Sequence, residues 1–131
     1  MAATKKDKTQ SKHEKAKRLI ELTADSCKFS DFLVFLQSMV KTRDEFSDIL
    51  LYAMYAARDL VTVKKSGDDT CSLLFYGDSD TARNVAANFT AAGVMNIYYT
   101  LCRTREELAM NTNLVNTLDY LACELKKAAS I

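Results

Sequence analysis

A chain of 131 residues, 48% hydrophobic, is sized for one domain and carries enough apolar material to fill a core without disulfides. It has no proline and three glycines, which leaves long helices uninterrupted and excludes proline-rich linkers. The net charge of +1 hides an uneven placement: residues 1–18 carry +5 and the remainder −4, a basic head on a mildly acidic body.

Residues 1–10 are small, polar and basic, the composition of a flexible tail. Ser11 and Glu14 have the spacing of a capping box, in which two orphan backbone donors at a helix start are satisfied reciprocally. The helix they open is expected to run to about Ala24, with Ala16, Leu19, Ile20 and Thr23 on one face. Ser30 and Asp31 can cap a second helix ending near Lys41, whose inner face is Phe29, Phe32, Leu33, Phe35, Leu36, Met39 and Val40. Only a residue or two separates it from the next helix, which favours an antiparallel hairpin of the two.

The stretch Thr42 to Val63 reads as the central helix. Thr42 and Glu45 form a second capping box, and Phe46, Ile49, Leu50, Ala53, Met54, Ala57, Leu60 and Val61 recur at three- and four-residue steps. Its other side is not cleanly polar, because Leu51, Tyr52 and Tyr55 sit there among Asp48, Arg58 and Asp59. A helix apolar nearly all round is covered by neighbours or shared with another chain. Leu51, Tyr52 and Tyr55 are therefore the candidate self-association residues, and a homodimer is the expected assembly.

Beyond the central helix, Val61–Lys65, Ser66–Asp69 and Thr70–Tyr76 read as strand, turn and strand, a short β-hairpin over about residues 61–76. The first strand has an alternative as the end of the helix, with Gly67 as terminator. Asp78 or Ser79 then caps a helix to about Ala92, with Ala82, Val85, Ala86 and Phe89 inward and Gly93 as its stop. Residues 94–102 fit either helix or strand and are taken as helix. Thr104 and Glu107 make a third capping box, opening a last helix with Leu114, Leu118, Leu121 and Leu125 on one face. Residues 111–113 are a candidate break within it.

The fold class is thus mainly α: a single-domain helical bundle of five or six helices over residues 11–131, with the hairpin between the third and fourth. Its expected core comprises Phe32, Leu36, Met39, Phe46, Ile49, Leu50, Met54, Phe75, Val85, Phe89, Leu118 and Leu121. No stretch is long and apolar enough for a transmembrane helix, and none opens the chain as a signal peptide would. The expected location is cytoplasmic, where Cys27, Cys71, Cys102 and Cys123 stay reduced as small buried hydrophobes. Their spacings contain no CxxC, so no zinc site is expected.

One segment, Leu73-Leu74-Phe75-Tyr76-Gly77-Asp78-Ser79-Asp80-Thr81, resembles the strand-then-Gly-Asp-Ser block of the GDSL (SGNH) hydrolases. That family's serine needs a late histidine, with an aspartate three residues before it, to accept the proton. The only histidine here is His13, in the basic head, and the family's Gly-x-Asn-Asp block is missing. No hydrolase follows, and Asp78 reads as a helix cap. Asp68, Asp69, Asp78 and Asp80 lack the loop spacing of a calcium site. The formal glycosylation sequon Asn88-Phe89-Thr90 falls within an expected helix.

Lys5, Lys6, Lys8, Lys12, Lys15, Lys17 and Arg18 are candidate polyanion-binding residues, able to neutralise phosphates but without interleaved aromatics to read bases. With no credible catalytic set and no cofactor motif, the expectation is a small intracellular, non-enzymatic protein. It would act by binding another macromolecule, a protein being the expected partner and regulation or inhibition one role open to it. The alternatives are a nucleic-acid-associated accessory protein using the basic head, and a helical protein binding a small ligand in an apolar pocket.

Overall fold

The computed structural model describes residues 5–24, 28–39, 41–66, 73–110 and 113–130, with side chains from residue 11 onward and excluding Ser66. Among these are six helices and no strand: α1 (Lys5–Ala24), α2 (Phe29–Met39), α3 (Arg43–Ser66), α4 (Ser79–Ala86), α5 (Ala91–Ala109) and α6 (Leu114–Ala129). Helix α3 packs on α1, α4 and α5, while α6 packs on α5, α2 and α1. Their buried side chains form one cluster. Of the expected core, Met54 and Val85 are half-buried and the others are buried.

Helix α1 buries Ala16, Leu19, Ile20 and Thr23, the face its periodicity indicates. The Thr23 hydroxyl is satisfied within the helix, donating to the Leu19 carbonyl at 2.7 Å. The start differs from expectation. Residues 5–10 are helical, so Ser11 and Glu14 lie inside α1 and do not open it. Lysine and glutamine are good helix formers, which lets the helix run back through the basic head.

Among the described residues α2 and α3 do not pack as the expected antiparallel hairpin. Helix α2 buries Phe32, Leu36 and Met39 and packs mainly on α6, with a smaller contact on α1. Lys15 of α1 bridges α2 and α3, its ammonium 3.1 Å from the Met39 carbonyl and 2.8 Å from the Glu45 carboxylate. One cation thus serves the negative end of α2 and an acidic residue in the first turn of α3. Half of the expected α3 capping box is present: the Glu45 amide donates to the Thr42 hydroxyl at 3.1 Å. Glu45 itself pairs with Lys15.

The expected β-hairpin is not supported. Residues 61–66 continue α3, with Val63 buried and Lys64 and Lys65 in its last turn, where cations suit the helix dipole. Residues 73–76 are irregular and contain no strand, and 67–72 lie outside the described residues. What holds 73–76 is a side chain of α3. The Asp59 carboxylate, 1% exposed, accepts from the amides of Leu74 at 2.8 Å, Phe75 at 2.6 Å and Tyr76 at 3.0 Å. A buried carboxylate is tolerable when such charge-assisted bonds replace its water.

Asp78 caps α4, accepting from the Thr81 amide at 2.7 Å. This helix ends at Ala86, earlier than expected, because Thr90 opens α5 by accepting from the Gly93 amide at 2.9 Å. Gly93 is therefore no stop but a first-turn residue under close approach: a Cβ there would lie 3.0 Å from the Ala128 carbonyl. The sequon at Asn88 falls in the turn between the two helices, with Asn88 exposed. Residues 94–102 are helical, and Thr104 lies mid-helix, fully buried, bonding back to the Thr100 carbonyl at 2.7 Å. The last helix starts after Asn113, whose side chain accepts from the Val115 and Asn116 amides. There Leu118, Leu121 and Leu125 are buried and Leu114 half-buried. Lys126 ties α6 to α1 and α2, donating to the Leu22 carbonyl at 2.8 Å while its ammonium lies 4.8 Å from the Phe32 ring centre.

Candidate protein-binding face on the central helix

Three sides of α3 are core. Phe46, Ile49, Leu50, Ala53, Ala56, Ala57 and Leu60 are fully buried against α1, α4 and α5. The remaining side carries Asp44, Ser47, Asp48, Leu51, Tyr55 and Arg58, spaced three and four residues apart and exposed or half-buried. Leu51 is at its centre and Tyr55 is 38% exposed. Tyr52 stands at one edge, half-buried, with its ring edge-on to Tyr55 at 6.5 Å. The structure thus brings the three sequence-predicted residues Leu51, Tyr52 and Tyr55 onto one side of the helix, next to α1.

The edges of this face are braced. On the α1 side, His13 stacks on Phe75 with ring centres 3.9 Å apart and lies 6.3 Å from the Tyr52 ring. Its Nε2 is 3.3 Å from the Phe75 carbonyl. Because Asp59 fixes Phe75, a chain of contacts runs from a buried carboxylate to the tyrosine pair. Lys12 bonds Asp48 at 2.6 Å, and this hydrogen bond raises the lysine above its ordinary pKa. On the α5 side, Arg105 donates to the Ser47 carbonyl at 3.2 Å and Arg43 to the Leu108 carbonyl at 3.1 Å. Between these helices lies a surface cleft of about 360 Å³ lined by Ser47, Met54, Cys102, Arg105, Glu106 and Ala109.

The candidate polyanion set is only partly available. Lys12 and Lys15 are committed to Asp48 and Glu45, and Arg18 pairs with Glu21 at 3.6 Å. Lys17 is half-buried. Lys5, Lys6 and Lys8 lie on the first turns of α1, and their side chains are outside the described residues. A second cleft, of about 200 Å³, lies between α5 and α6 among Asn96, Tyr99, Thr100, Arg103 and Tyr120. There the Arg103 guanidinium donates to the Tyr120 hydroxyl at 3.4 Å, a bond that raises the arginine pKa further.

The chemistry tested in the Gly-Asp-Ser segment resolves into capping. The Thr81 amide and hydroxyl both bond Asp78 and hold its carboxyl below the usual carboxylate range. His13 is spent on Phe75. Among the described residues no group of three His, Cys, Asp or Glu side chains could hold a metal ion, and no helix is long and apolar enough to cross a membrane. Of the cysteines, Cys102 is half-buried and Cys123 exposed, so Cys123 is not the buried thiol expected; Cys27 and Cys71 lie outside the described residues.

Sequence reasoning missed Asp59, placing it on the wet side of α3. The available signal was position: Asp59 falls between Ala56 and Val63 on a buried stripe, where a carboxylate must have been given partners. The pairs Lys12–Asp48 and Lys15–Glu45 had no local signal, since each joins residues at least thirty apart. In comparisons with known proteins, no family model, curated protein or solved structure matches the chain.

Proposed function

We propose that this is a non-enzymatic protein that works by binding a protein partner through the exposed face of α3. The observation that carries the reading is the stripe of Leu51 and Tyr55, with Tyr52 beside it, on a helix whose other sides are core. Tyrosine suits such a face, since the ring gives contact area while the hydroxyl keeps a polar partner. The neighbouring side chains are already held by Lys12–Asp48, by Arg105 on Ser47 and by His13 on Phe75. Side chains ordered before association lose less freedom on binding, which favours affinity.

A photoreactive phenylalanine at position 55, irradiated in expressing cells, tests this. The expected result is a discrete protein adduct that disappears when Leu51→Glu is added. A control probe at Val115, 58% exposed on α6, is expected to give none. Equal labelling from both positions would sink the proposal.

A further inference from the structure

We infer that the protein seated on the α3 face is a second copy of this chain, laid antiparallel across it about a twofold axis passing Leu51. This deepens the reading above and rests on it. The stripe is acidic at its N-terminal end and basic at its C-terminal end, with an apolar centre. Asp44 and Arg58 are each seven residues from Leu51, about 10 Å along the helix. An antiparallel copy centred on Leu51 therefore sets Asp44 opposite Arg58 of the second copy, and does so twice. The same symmetry brings the Tyr55 hydroxyl over Ser47 of the second copy and Leu51 onto itself.

Asp44 and Arg58 are exposed, and neither forms an ion pair among the described residues. Asp48 and Glu45, by contrast, are already paired within the chain. Among the described residues, the charges left over on this face are thus a complementary pair at mirror positions. A parallel arrangement would set Asp44 against Asp44 and Arg58 against Arg58. The antiparallel one also opposes the two helix dipoles favourably. It requires a shallow crossing: at about 20° the ends 10 Å from the axis separate by only about 4 Å, within an arginine's reach, whereas about −50° would part them.

Sedimentation velocity of the purified chain, with Asp44→Arg, Arg58→Asp and the double variant, decides the matter, with circular dichroism to confirm folding. The parent is expected to dimerise, and each single variant to dissociate at least about tenfold more readily, because like charges then face each other. Mixing the two single variants should restore the dimer, since one copy then offers only arginine and the other only aspartate. The double variant should also recover. A parent that stays monomeric at high concentration, single variants that dimerise as the parent does, or a mixture that fails to recover would each overturn the inference. A position-55 adduct of foreign mass from a monomeric parent would overturn self-pairing and leave the α3 face as the binding surface.

Discussion

The Asp59 carboxylate and the Phe75 amide meet at 2.6 Å across sixteen residues of chain, in a site almost closed to solvent. That bond and its two neighbours at Leu74 and Tyr76 anchor the segment leading into α4. Asp59→Asn keeps the shape but removes the charge and turns an NH₂ group toward amides that need acceptors. The expected cost is about 1–3 kcal/mol, and more for Asp59→Ala, which leaves the donors buried and unpaired. Urea denaturation measures the cost. Hydrogen exchange at Leu74, Phe75 and Tyr76 should accelerate while α6 amides stay protected.

How much of this was legible in the sequence depends on whether a side chain's job was local. The faces of α1, α3 and α6 were readable because Leu19, Leu50 and Leu121 recur with the helical period, and each is fully buried. Tyr52 and Tyr55 stood out as aromatic residues left over once the α3 core face was filled. Thr104 misled, because a threonine that bonds back one turn looks the same in sequence as one that caps. The β-branched residues at 61–63 suggested a strand, but Val63 gains more from the core than it loses in helix propensity. Asp59, Lys12 and Lys15 act on partners far along the chain, so their roles exist only once the fold has formed.

Tyr76 gives a pH test. Burial, with the Asp59 charge beside it, pushes its phenol well above the ordinary tyrosine value. In the unfolded chain it ionises near pH 10. Above that pH the folded state holds the proton that the unfolded state has lost, so stability is intact below about pH 10 and falls as pH rises further. Tyr76→Phe should make the alkaline side of the stability profile shallower than the parent's. Identical slopes in urea titrations at pH 9 to 11 would show that Tyr76 ionises freely.

Gly93→Ala sets two effects against each other. Alanine improves helix propensity by about 1 kcal/mol. Its methyl, however, would stand 3.0 Å from the Ala128 carbonyl and 3.1 Å from the Thr90 hydroxyl, and backbone yields less readily than a side chain. Overpacking of this kind costs about 1–3 kcal/mol, so a net loss is expected, seen as a Tm lower by a few degrees. A raised Tm would mean that the last turn of α6 moves aside freely.

The cysteines should separate kinetically. Cys123 is exposed on α6, whereas Cys102 is half-buried on α5. Alkylation requires the reagent to reach the sulfur, so the more accessible thiol is expected to react first. Mass spectrometry after brief alkylation of the folded chain should show Cys123 modified well before Cys102. The reverse order would mean that α5 opens more readily than its packing on α3 and α6 indicates.

Leu50 and Leu51 are adjacent in sequence and opposite in role, which makes them the sharpest test of α3. Leu50 is fully buried, so Leu50→Ala should cost roughly 2–5 kcal/mol, the transfer of the lost methyl groups plus the cavity left behind. Leu51 is half-buried on the proposed binding face. Leu51→Ala should cost the isolated chain well under half as much, since the site opens to water and leaves little cavity. The effect on association should be reversed. Leu51→Ala should weaken binding at the α3 face, while Leu50→Ala should leave the affinity of the folded fraction unchanged. Denaturation measured well below the dissociation constant, paired with sedimentation well above it, separates the two quantities. Equal stability losses from the two substitutions would show that Leu51 belongs to the core of its own chain, and the stripe would then be no binding face.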